Sequence, residues 1–121
     1  MDQEKINSLV ISKEESIKET MGTLNKTSSK ILLVAGNTGQ LVGVVTDGDL
    51  RRGIVKGLAL SDPVKNVMRE NFCYLDANTP NIYNRARELM LEKQIEQVLI
   101  LDSSGCIVDI ILISDEIEGV P

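Results

Sequence analysis

Apolar residues fall along this chain in short dense runs, and the runs come twice in the same order. Val10 and Ile11 close the first of them and read as the end of a short strand. Ile17, Met21 and Leu24 then recur at i, i+4 and i+7, the spacing of one helix face. In front of them Ser12-Lys13-Glu14-Glu15 has the form of a capping box, in which Ser and Glu side chains satisfy the orphan backbone donors of a helix start. The pattern therefore predicts a helix over Ser12–Leu24. Two apolar runs follow, Ile31 to Ala35 and Leu41 to Val45, on either side of Gly36-Asn37-Thr38-Gly39, and predict a hairpin. They are nearly continuous in Ile, Leu and Val, as strands buried on both faces are. Thr46-Asp47-Gly48-Asp49 ends the second run, and Leu50 to Lys56 reads as a helix stopped by Gly57.

Sliding the chain by 65 places Ile17 on Ile82, Met21 on Ala86 and Leu24 on Leu89. One inserted residue makes the offset 66, which places Gly39 on Gly105, Val42 on Val108 and Asp49 on Asp115. The second copy thus has a short strand at Cys73–Leu75 and a helix over Pro80–Lys93, with Thr79 as N-cap and Pro80 at its first position. Strands Val98–Leu101 and Ile107–Ile113 flank Asp102-Ser103-Ser104-Gly105, and a last helix begins near Asp115. Hairpins are thus expected near 31–46 and 97–113. Between the copies Ser61-Asp62-Pro63 caps a helical turn through Val67 and Met68, and Asp2–Leu9 is a weak helix with Ile6 and Leu9 facing inward. Neither copy covers its own small sheet. The expected fold is α/β, two pseudo-symmetric strand-helix-strand-strand-helix motifs (about 8–60 and 61–118) packed sheet to sheet, with 119–121 starting a linker to a downstream domain.

Composition narrows the function. The chain has 121 residues, 42 % of them apolar but only 2 % aromatic, so its core is built from Ile, Leu, Val and Met. No apolar run is long enough for a membrane span and Met1–Lys5 is no signal peptide, so a cytoplasmic protein is expected. The net charge is −5, which argues against nucleic acid as a partner. Cys73 and Cys106 lie in apolar stretches without metal spacing and read as small buried hydrophobes. The absence of histidine removes Ser-His and Cys-His nucleophile systems and most catalytic zinc sites. No Gly-rich phosphate loop is present, and the chain itself is not expected to be an enzyme or to require a cofactor. Asp47-x-Asp49 has the look of a pair of acids that hold a divalent cation, yet it lacks the further ligands of a calcium loop.

The residues Gly43-Val44-Val45-Thr46-Asp47-Gly48-Asp49-Leu50-Arg51-Arg52, inside the doubled order of elements, resemble a tandem CBS (cystathionine β-synthase type) domain pair over roughly residues 8–118. Thr46 to Arg52, followed by Lys56-Gly57-Leu58, is similar to pairs preceding sugar-phosphate nucleotidyltransferase domains. The resemblance implies an adenosine-type ligand, AMP, ADP or ATP, bound between the motifs, and a homodimer. It implies a regulatory module, here the N-terminal part of a possible fused nucleotidyltransferase. Thr46 would donate to a phosphate and Asp49 accept from ribose hydroxyls, beside a helix N-terminus that favours anions. Gly48 would admit the ligand close to the backbone. Asp47 belongs to the same turn, Arg51 and Arg52 bring positive charge, and Val10 and Ile11 would line the base pocket. The plain alternative is that Thr46 or Asp47 only caps the helix. In the second copy Asp109 replaces the glycine and Leu112 the threonine, while Asp115 remains. Leu112 has no hydroxyl to give, so one competent cleft per chain is expected. A degenerate pair serving only as a structural dimerisation module is the alternative function.

Overall fold

The computed structural model describes residues 2–113. Its elements run α1 (Gln3–Ser8), β1 (Val10–Ser12), α2 (Ile17–Thr27), β2 (Ile31–Ala35), β3 (Leu41–Thr46) and α3 (Asp47–Val55). A 3₁₀ turn at Val64–Asn66 precedes β4 (Tyr74–Asp76), α4 (Ile82–Lys93), β5 (Gln97–Leu101) and β6 (Ile107–Leu112). The described residues form two three-stranded sheets, β1-β2-β3 and β4-β5-β6, each a parallel pair joined to a hairpin. The α/β architecture expected from the repeat is present.

The repeat extends to register. Val34 faces Gly43 and Thr46 faces Ile31; 66 residues on, Ile100 faces Asp109 and Leu112 faces Gln97. Both hairpins carry an irregularity at the same point, between Val34 and Ala35 and between Ile100 and Leu101. Leu32, Leu33 and Val34 are fully buried, as a continuous apolar strand requires. The chain divides into two units, one of them Asn7–Phe72. In the other, Ala86, Leu89 and Met90 of α4 join Val98, Ile100 and Ile111 in a core against which Cys73 packs. Cys73 and Cys106 are half-buried free thiols rather than fully buried ones.

Helix starts depart from expectation. α2 begins at Ile17, not Ser12, with Ser16 as its N-cap accepting from the Glu19 N–H at 3.1 Å. The Ile17 and Lys18 N–H groups donate to the Asp62 and Leu60 carbonyls at 2.9 and 3.0 Å. These three bonds satisfy donors that a helix start leaves without intrahelical partners. Ser12 instead closes a local turn by accepting from the Glu14 N–H. α4 begins at Ile82 after Asn81 in a left-handed conformation (φ 51°), so Thr79 and Pro80 lie in the preceding turn. α3 starts three residues earlier than Leu50, because Thr46 caps it. Gly57 does end that region: at φ +107° it donates to the Ile54 carbonyl, and Leu58 donates to Gly53. The expected helix near Asp115 lies outside the described residues.

After the 3₁₀ turn, Val67–Arg69 runs along the open edge of β3. Arg69 and Val44 exchange two backbone hydrogen bonds of 2.8 and 2.9 Å, which covers part of the β3 edge. The approach is close. A Cβ at Gly43 would stand 2.6 Å from Met68 Sδ, and one at Gly53 would stand 2.4 Å from Val67 Cγ1. Val67 is β-branched and has little rotamer freedom with which to retreat. Overpacking costs about 1–3 kcal/mol, against roughly 1 kcal/mol gained by Ala over Gly in a helix interior. Gly53→Ala is therefore expected to lower the urea midpoint at unchanged m-value, and Val67→Ala in the same chain to recover part of the loss. A Gly53→Ala protein as stable as wild type would contradict this packing.

Candidate functional site

The junction of β3 and α3 collects the chemistry. Thr46 is extended (φ −120°, ψ 168°), and its Oγ1 accepts from the Asp49 N–H at 3.3 Å. Asp49 Oδ2 accepts in return from the Thr46 N–H and the Thr46 hydroxyl, both at 2.9 Å. This is a capping box with Asp in the place of Glu. Asp49 shares the inner face of α3 with Leu50 and Gly53, and its side chain is only 3 % exposed.

A carboxylate buried so deeply requires paired charge. Arg52, one helical turn on, donates from Nη2 to Asp49 Oδ1 at 2.6 Å. Arg69 donates from Nε to Oδ2 at 3.2 Å. Their side chains are 66 % and 54 % exposed, so each guanidinium reaches from solvent to a buried acid. Arg69 is the residue that sequence reasoning missed. Nothing in the run Val67-Met68-Arg69-Glu70 carries a motif; the edge pairing with Val44 brings it to the site. Gly43 of the signature serves that same pairing, since it leaves room for Met68.

Asp49, Arg52, Lys56, Asn66 and Arg69 line a cleft of about 300 Å³. A second cavity of about 280 Å³ lies along α3 and its C-cap, lined by Gly48, Arg51, Arg52, Val55 and Lys56. A Cβ at Gly48 would stand 3.3 Å from Arg52 Nη1, a tight contact beside the guanidinium that bonds Asp49 through Nη2. Thr46, Gly48, Asp49 and Arg52 meet at this junction, but Thr46 lines neither cavity and its hydroxyl donates to Asp49 rather than standing free for a phosphate. Asp47 and Arg51 pair with each other on the exposed side of the helix, and of the two only Arg51 lines a cavity. Val10 and Ile11 lie on β1, separated from β3 by β2, and line neither cavity. Asp115 is outside the described residues. Leu112 holds in β6 the place that Thr46 holds in β3 and offers no hydroxyl. Among the described residues no group of three or more His, Cys, Asp or Glu side chains is placed to hold a metal ion, and no helix is long and apolar enough to cross a membrane.

Residues 4–56 match the CBS domain family. Over 100 residues, 83 % of this chain, the sequence is 33 % identical to arabinose 5-phosphate isomerase GutQ of Salmonella typhi. The chain spans about 30 % of the length of the curated relatives it matches. Protein MJ1225 of Methanocaldococcus jannaschii shares the fold with a TM-score of 0.81, over 93 % of this chain and 45 % of that one, at 20 % identity. The CBS domain protein PAE2072 of Pyrobaculum aerophilum, solved as a complex with AMP, superposes with a TM-score of 0.71 over 88 % of this chain and 81 % of that one, at 20 % identity.

Burial works against the charge on Asp49. The Thr46 N–H and hydroxyl, Arg52 and Arg69 outweigh it and hold the carboxyl below its ordinary value of 3.8. A carboxyl lowered by folding contributes stability that is fully present above its unfolded value and lost as the pH falls through the folded one. Asp49→Asn is therefore expected to be less stable than wild type at pH 7, with the difference shrinking as the pH drops below about 4. Urea titrations across this range measure it; a difference independent of pH would show that the charge of Asp49 contributes nothing.

Proposed function

We propose that this chain, which carries a CBS domain and folds as a pair of such motifs, is a cytoplasmic regulatory module that senses an adenosine nucleotide and performs no chemistry itself. The observation that carries the reading is the convergence of Arg52, Lys56 and Arg69 on the cleft that holds Asp49. Three cations there, in a chain of net charge −5, suit a phosphate-bearing ligand. The fold neighbour complexed with AMP supports the nucleotide as its source. The enzyme served is proposed to act on a sugar phosphate. The curated relatives favour a sugar-phosphate isomerase over the nucleotidyltransferase expected from the sequence. A homodimer belongs to the same reading: Met21 on α2 and Tyr83 and Leu91 on α4 are exposed apolar side chains at 40, 60 and 65 %.

A second reading has an observation of its own. Both oxygens of Asp49 are already engaged by Thr46, Arg52 and Arg69, as in a site that only caps and braces a helix. A structural dimerisation module would look like this. Ligand titration separates the two. In the nucleotide reading, calorimetry with AMP, ADP and ATP gives one site per chain, because Leu112 spoils the second motif. A hydrogen bond to a charged group is worth roughly 1.5–3 kcal/mol, so Asp49→Ala is expected to weaken binding about ten- to a hundredfold. Absence of binding by all three below about 1 mM (roughly −4 kcal/mol) would leave the structural module as the better account.

A further inference from the structure

The four hydrogen bonds on Asp49 constrain what its cleft can take. A carboxylate offers about four acceptor positions, two on each oxygen; Oδ2 takes three donors, from Thr46 and Arg69, and Oδ1 takes one, from Arg52. A cis-diol brings two donors to a carboxylate with one position open on Oδ1 and none on Oδ2, so it must replace at least one of the donors already there. The two from Thr46 belong to the helix cap and cannot leave without unwinding the start of α3. The two arginines are held by side chains more than half exposed, and they are the replaceable donors. We propose that ligand binds here by exchange: a furanose diol takes Asp49 from Arg52 and Arg69, and the released guanidiniums, with Lys56, take the ligand's phosphate.

This inference rests on the nucleotide-sensing reading and adds what that reading leaves open, the class of ligand admitted. Asp49 is the one acid among the residues lining the cleft, so freed guanidiniums find no other carboxylate there. A ligand with a diol but no phosphate breaks two ion pairs and restores neither. A phosphate without a diol draws the arginines away and strands a carboxylate that is 3 % exposed, the costlier loss. A pentose phosphate keeps every charge paired. Diol and phosphate are therefore recognised jointly, and the shared chemistry is a furanose bearing both, whether in a nucleotide or in a free sugar phosphate.

Calorimetric titration of the whole chain with AMP, adenosine, ribose 5-phosphate and inorganic phosphate tests the exchange. Wild type is expected to bind AMP at least about tenfold more tightly than adenosine, and inorganic phosphate more weakly than AMP. In Arg69→Gln, AMP should weaken by about tenfold while adenosine tightens, because Asp49 has lost a competitor. A residue that only braced the fold would weaken both ligands. Should Arg69→Gln fail to fold, Lys56→Gln, at the exposed C-cap of α3, is expected to weaken AMP and leave adenosine unchanged. Adenosine binding as tightly as AMP, or losing affinity in Arg69→Gln, overturns the exchange and leaves the nucleotide reading standing. Ribose 5-phosphate binding as tightly as AMP, with the same dependence on Arg69, upholds the exchange and makes a sugar phosphate the occupant. No binding by any of the four overturns both.

Discussion

A single buried negative charge organises the first motif. Asp49 sits on the packed side of α3, where an unpaired carboxylate would cost several kcal/mol, on the order of 3–5 when one partner of a buried pair is lost. Its neighbours follow from that cost. Thr46 must end β3 in an extended conformation so that its amide and hydroxyl point at the carboxylate, and this sets where strand becomes helix. Gly48 leaves Arg52 room to turn back over the helix, since an added Cβ would stand 3.3 Å from Arg52 Nη1. The segment after the 3₁₀ turn must run along β3 so that Arg69 arrives from the far side.

The segment from Ala59 to Arg69 is accordingly a scaffold as well as a connection. Its first part supplies the Leu60 and Asp62 carbonyls that complete the start of α2, and Val64 is fully buried beneath it. Its last part adds a short bridge to β3 and delivers a guanidinium to the cleft. At Gly43 and Gly53 an added Cβ would stand within 3 Å of its Met68 and Val67 side chains. Stability of the edge and composition of the site are thus set by the same few contacts.

Much of this was legible in the sequence, for physical reasons that also mark the limits. The hairpins were readable because strands buried on both faces leave dense apolar runs bounded by turn residues, and the repeat doubled the signal. Thr46 and Asp49 stood out because a Thr-x-x-Asp at a strand end has a local purpose as well as a chemical one. The start of α2 was misread because Ser-x-x-Glu occurs twice in register, at Ser12 and at Ser16. The choice between them is made by remote carbonyls at Leu60 and Asp62, which no local pattern shows. Proline at 80 pointed to a helix start, but the turn closed by Asp76 and the left-handed Asn81 carry the chain past it. Arg69 was invisible because its place depends on strand pairing across sequence, and a lone arginine after a helical turn has no signature.

The account's central claim is that the Thr46–Asp49 junction and Arg69 together receive a nucleotide. Backbone amide and arginine Nε–H resonances followed by NMR while AMP is added test it most directly. The account predicts that the largest shifts fall at Thr46, Gly48, Asp49 and Arg69, with the Arg69 Nε–H moving as it leaves Asp49 Oδ2. Shifts confined to the β4-β5-β6 sheet, or none by about 1 mM AMP, would contradict it.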